Sequence, residues 1–258
     1  MRKHYIDNLR WLILLILIPY HTAQAWNTWG EPNYIFFEGN RLISSFIVFF
    51  SPFFMPLLFV LAGIGTKYAL QKRTIKEYLA ERVRRLLIPF LYGTLLLTPV
   101  MSYIADKFHH SYSGGFISHY GVFFTKFTDL TGADGGFSVG QFWFVLYLFV
   151  ISILSVSGLS LLKNRAVNTD EKMNREADEK PEKSVSLWLI FIFGLPLPML
   201  SDLLSIGGKS LAQYLYLFLL GYLVFSDERI ISKLEKYAGI WISFGLVAAV
   251  LNVYLFLW

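Results

Sequence analysis

The stretch Arg10-Trp-Leu-Ile-Leu-Leu-Ile-Leu-Ile-Pro-Tyr-His21 decides how the whole chain is read. Eight consecutive residues from Trp11 to Ile18 are apolar. Eleven residues at about 100° each return to the same helical face, about 16 Å further along. One face therefore carries a cation at the edge of an apolar layer and a titratable base inside it. An ionisable group at that depth is costly, so it marks either a functional site or a side chain hydrogen-bonded to a neighbouring helix.

Composition agrees with a membrane setting. The 258 residues are 55% hydrophobic and 18% aromatic, with 16% charged and no cysteine. Several runs reach the roughly 20 apolar residues that cross a bilayer. They are continuous and do not alternate, which predicts helices and not a barrel. The expected fold is an all-α polytopic bundle of about seven transmembrane helices, near 8–29, 52–70, 86–105, 141–162, 185–206, 209–226 and 238–258. The first run is too long for a signal peptide and lacks a convincing cleavage site, so it is kept as a span. The absence of cysteine removes disulfides, thiolate catalysis and cysteine-bound zinc.

Charge sets the expected orientation. The net charge of +5 suggests nucleic acid at first sight, but the basic residues sit between spans. With the N-terminus in the cytoplasm, every one of the 23 except Arg41, Lys107, Lys126 and Lys209 falls on the inner side.

Pro19 is expected to kink the first span just before His21. Pro52 and Pro56 are expected to divide the apolar run after Arg41 into an interfacial piece and a span, and Gly63 and Gly65 to permit close backbone approach. Thr74 and Glu77 have capping-box spacing. On the helix they start, Arg82 lies between Tyr78 and Leu86, on the apolar side. A guanidinium there answers an anion or snorkels to the surface, so anionic lipid and a dedicated anionic ligand both stay open.

The remaining stretches carry less. Outer residues 106–140 read as a loop with His109, His110 and His119, for which no metal is expected because no carboxylate pattern accompanies them. Its glycine patch, Gly132 to Gly140, lacks the ending of a phosphate loop. Trp143 and Tyr147 stand one turn apart at the start of the fourth span, as belt or packing residues. Asp170 to Lys183 holds six acids and four bases in fourteen positions, so a disordered cytoplasmic linker is expected over 164–184. Pro196 and Pro198 are expected to break the fifth span, with Asp202 near its outer end.

Four motifs in order carry a resemblance. Tyr-Ile-Asp-Asn-Leu-Arg10 with His21, the proline-containing Phe53 to Gly65, Arg82-Val-Arg-Arg85 with Leu86 and Pro89, and Gln141-Phe-Trp143-Phe-Val-Leu-Tyr147 together resemble the membrane acyltransferase-3 family. The second motif leans towards its glucan succinyltransferase-like branch. The resemblance implies a single domain over 1–258 in the inner, or plasma, membrane. It also implies transfer of an acetyl or succinyl group from acyl-CoA to a hydroxyl of an extracytoplasmic cell-envelope carbohydrate. Acyl-CoA is then a substrate, with no tightly bound cofactor. Arg10, Arg82 and Arg85 are expected to bind the donor phosphates, and Asp7 to orient Arg10. His21 is expected to act as general base, with a covalent acyl-histidine as the variant. Trp143 and Tyr147 are expected to support the site. Seven spans are fewer than that family usually has, so a truncated member is expected. A transporter or flippase with His21 as proton relay and a noncatalytic fragment are the rival readings.

Overall fold

The computed structural model describes residues 4–128, 130–173 and 189–258. The chain is mostly helical: α1 His4–Ala23, α2 Arg41–Leu70, α3 Ile75–His110, α4 Phe116–Thr125 and α5 Trp143–Met173 come first. The short helices α6 Leu189–Gly194 and α7 Pro196–Leu200 follow, then the hairpin β1 Ser205–Ile206 and β2 Lys209–Ser210. The chain continues through α8 Leu211–Leu223, α9 Glu228–Lys236 and α10 Ala238–Leu257. The hairpin, closed by left-handed Gly207 and Gly208, departs from the all-α expectation.

Among the described residues, four helical stretches are long and apolar enough to cross a membrane: Arg41–Leu70, Ile75–His110, Gly140–Gly158 and Ala238–Leu257. Phe191–Leu200 and Leu211–Leu223 are shorter apolar helices. The 20-residue α1 stays outside the group of four because Asp7, Asn8 and Arg10 dilute its first turns. The expected linker at 164–184 begins within the backbone of α5, and residues 174–188 lie outside the described residues.

Helix α2 is central. One side packs Phe54, Leu58, Leu61 and Ile64 against Ile6 and Ile13 of α1. Another packs Phe59 and Ala62 against Tyr147, Leu148 and Ile151 of α5 and Leu217 and Phe218 of α8. The α2–α8 crossing depends on two glycines. A Cβ on Gly63 would lie 2.0 Å from the Phe218 carbonyl oxygen, and one on Gly221 would lie 2.1 Å from that of Val60. Only bare backbone fits there.

The prolines act differently from the sequence expectation. Pro52 and Pro56 do not divide α2, which is continuous over 30 residues. A proline removes the N–H that would bond the carbonyl four residues earlier. For Pro52 that carbonyl is Val48, and Asn252 of α10 donates to it at 3.3 Å. For Pro99 it is Leu95, which accepts from the Tyr120 hydroxyl at 2.8 Å. Helix α3 also widens into π turns at Val83–Leu87 and Gly93–Leu97, each ending two residues before a proline. Widening accommodates the proline ring without ending the helix. Pro196 does follow a break, between α6 and α7.

The segment expected as a loop over 106–140 carries helical structure. Helix α3 extends to His110, Ser111 turns the chain in the left-handed region, and α4 packs back. The glycine patch then lies over Asp106: Ser102 Oγ donates to the Gly136 carbonyl at 3.0 Å, and a Cβ on left-handed Gly135 would meet the Asp106 side chain at 2.5 Å.

Candidate active site

The capping box forms as its spacing predicts, with the Thr74 N–H donating to Glu77 Oε2 at 2.8 Å and the Glu77 N–H to Thr74 Oγ1 at 3.3 Å. It sets the register of the first turns of α3. Tyr78 is thereby fully buried, its hydroxyl 2.8 Å from Thr66 Oγ1, which itself donates to the Ala62 carbonyl. The Tyr78 hydroxyl is therefore the donor to Thr66. One turn later the Arg82 guanidinium lies over the Tyr78 ring, 4.5 Å from its centroid. A cation over a tyrosine face gains electrostatic attraction from the ring.

Arg10 approaches from α1. Its Nη2 donates to the Leu61 carbonyl of α2 at 2.9 Å. That carbonyl is accessible because residue 65 is glycine: a Cβ there would stand 2.8 Å from Nη2. Asp7 Oδ1 lies 3.9 Å from Nη1, the pairing expected from their spacing. Arg82 is near enough for its charge to act on Arg10. Two like charges are thus within reach of each other, and among the described residues the buried Arg82 Nε has no hydrogen-bond partner. Like charges repel, and a buried donor left unmade is costly, so this arrangement favours an anion.

Arg85 does not join them. Its side chain is 71% exposed and pairs with Glu81 Oε1 at 3.0 Å, while Glu81 also pairs with Arg73. The π turn from Val83 changes the phase of the helix, so positions 82 and 85 separate more than a regular wheel predicts. Arg85 instead lines an open pocket of about 560 Å³ with Lys72, Arg73, Glu77, Ala80, Glu81 and Arg84.

His21 is half-buried near the other end of α1, with its ring 5.4 Å from Tyr20 in an edge-on arrangement. Tyr20 packs edge-on against Phe54 at 4.5 Å and donates to Ser51 Oγ at 3.4 Å. Trp143 and Tyr147 meet at 5.4 Å, and Tyr214 of α8 stands 5.4 Å from Trp143 and stacks on Phe59 at 4.5 Å. The Tyr147 hydroxyl donates to the Lys209 carbonyl at 2.9 Å, and Lys209 Nζ lies 5.7 Å from the Trp143 ring centroid.

A family model described as an acyltransferase domain matches residues 3–258. The chain belongs to the acyltransferase-3 family. It is an enzyme that transfers acyl groups, and a membrane acyltransferase. No curated protein and no solved structure matches it. Of the readings left open by sequence, acyl transfer is the one the family supports.

The acyltransferase brings Asp7, Arg10 and Arg82 together at one end of α1, Trp143 and Tyr147 together beside α8, and leaves Arg85 in the separate open pocket. His21 makes no recorded contact with either arginine among the described residues. Sequence reasoning missed Tyr20, whose ring meets His21, and Tyr214, which packs with Trp143 and Tyr147. Tyr20 adjoins His21 in the chain, whereas Tyr214 carried no local signal.

Proposed function

We propose that this acyltransferase takes an acetyl or succinyl group from acyl-CoA on the cytoplasmic side and places it on a hydroxyl of an extracytoplasmic envelope carbohydrate. The observation that carries the reading is the buried Arg82 Nε, which has no hydrogen-bond partner among the described residues and lies within reach of Arg10, a seat for an anionic group. Seven spans follow if α1 and the two shorter apolar helices cross the bilayer beside the four long ones. The distribution of basic residues then supports an N-terminus in the cytoplasm of a cell whose inner, or plasma, membrane holds the enzyme.

In this reading the donor's phosphates lie at the Arg10 end, and its thioester extends along α1 towards His21, about 16 Å away. Neutral His21 takes the proton of the acceptor hydroxyl as that oxygen attacks the thioester carbonyl. The new C–O bond forms, the C–S bond breaks, and the departing thiolate takes the proton back from the imidazolium. Trp143, Tyr147 and Tyr214 would form an aromatic surface beside the acceptor, where sugar faces pack well.

Reconstitution of the full chain in sealed vesicles tests the reading, with labelled acyl-CoA on the Arg10 side and glycan on the other. Label on the opposite-side glycan is expected. Transfer that requires donor and glycan in one compartment would contradict it.

A further inference from the structure

The open pocket beside Arg85 is separate from the Arg10–Arg82 seat, although both lie on the first turns of α3. Its lining combines Lys72, Arg73, Arg84 and Arg85 with Glu77 and Glu81. The two acids have different duties. Glu77 closes the capping box, taking bonds from the Thr74 N–H and hydroxyl at 2.8 and 3.0 Å. Glu81 pairs with Arg73 on one side and with Arg85 at 3.0 Å on the other. Lys72 and Arg84 have no ion pair among the described residues. The pocket thus retains excess positive charge while two of its guanidinium groups are held by one internal carboxylate.

We propose that Glu81 is a resident counter-ion, which holds Arg73 and Arg85 until a phosphate group displaces it. The identity of the phosphate as the nucleotide end of acyl-CoA rests on the donor reading above. A volume of about 560 Å³ is within the range of small-molecule sites. The displacement favours dianions. A phosphate replacing one carboxylate gains a charge against four cations, whereas a monocarboxylate gains none, so Glu81 rejects weak anions as well as releasing the pocket to strong ones. Glu81 itself is 18% exposed, but its partners Arg73 and Arg85 are exposed to water, which takes up the guanidinium groups as the carboxylate leaves. Arg82, the next residue along, faces away over Tyr78. One helical turn therefore presents two anion seats on different faces, suited to a ligand with phosphates at separate positions.

The test uses the full chain in phosphatidylcholine nanodiscs, with adenosine 3′,5′-bisphosphate as probe and calorimetry as readout. Glu81→Gln is expected to bind it about fivefold more tightly than the wild type, the scale of an exposed ion pair. Glu81→Asp should match the wild type, and Arg84→Ala should weaken binding in both backgrounds. Unchanged or weaker binding by Glu81→Gln would overturn the proposal. So would loss of probe binding when phosphatidylglycerol enters the disc, because a lipid headgroup would then own the pocket. Tighter binding by Glu81→Gln, with no acyl transfer from labelled acyl-CoA by the wild type, would defeat the donor reading and leave Glu81's role standing. Acyl transfer without that tightening would do the reverse.

Discussion

Arg10 lies against Gly65 so closely that a Cβ on the glycine would stand 2.8 Å from Nη2. The glycine is what lets a side chain of α1 reach a carbonyl inside α2. Gly65→Ala meets only the end of a flexible side chain, so the fold is retained while Arg10 is displaced. The displaced guanidinium is expected to lose one charge-assisted hydrogen bond to the donor, about 2 kcal/mol, or a rise of roughly thirtyfold in donor KM. Thermal unfolding in detergent should be nearly unchanged. Gly63→Ala, by contrast, drives a methyl into the Phe218 carbonyl, and its unfolding midpoint should fall well below that of Gly65→Ala.

Tyr120→Phe removes the hydroxyl that answers the Leu95 carbonyl freed by Pro99. Hydrogen bonds between membrane helices contribute about 0.6 kcal/mol on average and up to about 1.7. A loss near the upper part of that range is expected, since the proline leaves the carbonyl without its helical partner. Faster amide exchange at the outer end of α3, relative to α2, would register it.

The segment around α4 should weaken in mild acid. His119 is fully buried, with Nε2 3.2 Å from Asp106 Oδ2, while His110 Nδ1 lies 3.1 Å from Oδ1 of the same carboxylate. Burial holds the His119 imidazole below its ordinary range, and this outweighs the opposite pull of Asp106. The folded state thus keeps the ring neutral, and the unfolded chain binds its proton first. Stability is present above about pH 6.5 and is lost as pH falls through that value towards the folded pKa. Asp227, held down to about 2 by Arg229, contributes only in much stronger acid. The difference in unfolding midpoint between pH 7.5 and 5.5 should shrink in His119→Phe; an unchanged difference would assign the effect to other groups.

Local patterns were legible where physics is local. The Thr74–Glu77 box, the Asp7–Arg10 pair and the place of Arg82 beside Tyr78 follow from spacing within a few turns, and the close backbone approach expected at Gly63 and Gly65 is made at Gly63, while Gly65 admits the Arg10 side chain instead. Continuity of α2 was hidden because the answer to Pro52 comes from Asn252, on the last helix. Helix α4 was hidden in a segment read as loop, and His119 meets Asp106 only after the chain reverses at Ser111. The Glu81–Arg85 pair has i, i+4 spacing and could have been read, whereas the π turn that separates Arg85 from Arg82 leaves no mark in the spacing.

The central claim is that His21 performs proton transfer while the arginine end holds the donor. Single-turnover transfer from labelled acyl-CoA to envelope glycan, measured beside CoA binding in His21→Ala, tests it most directly. The account predicts a fall in transfer of at least about 10²-fold with CoA affinity unchanged, the contribution of a positioned general base. Undiminished transfer by a stably inserted His21→Ala enzyme would contradict it.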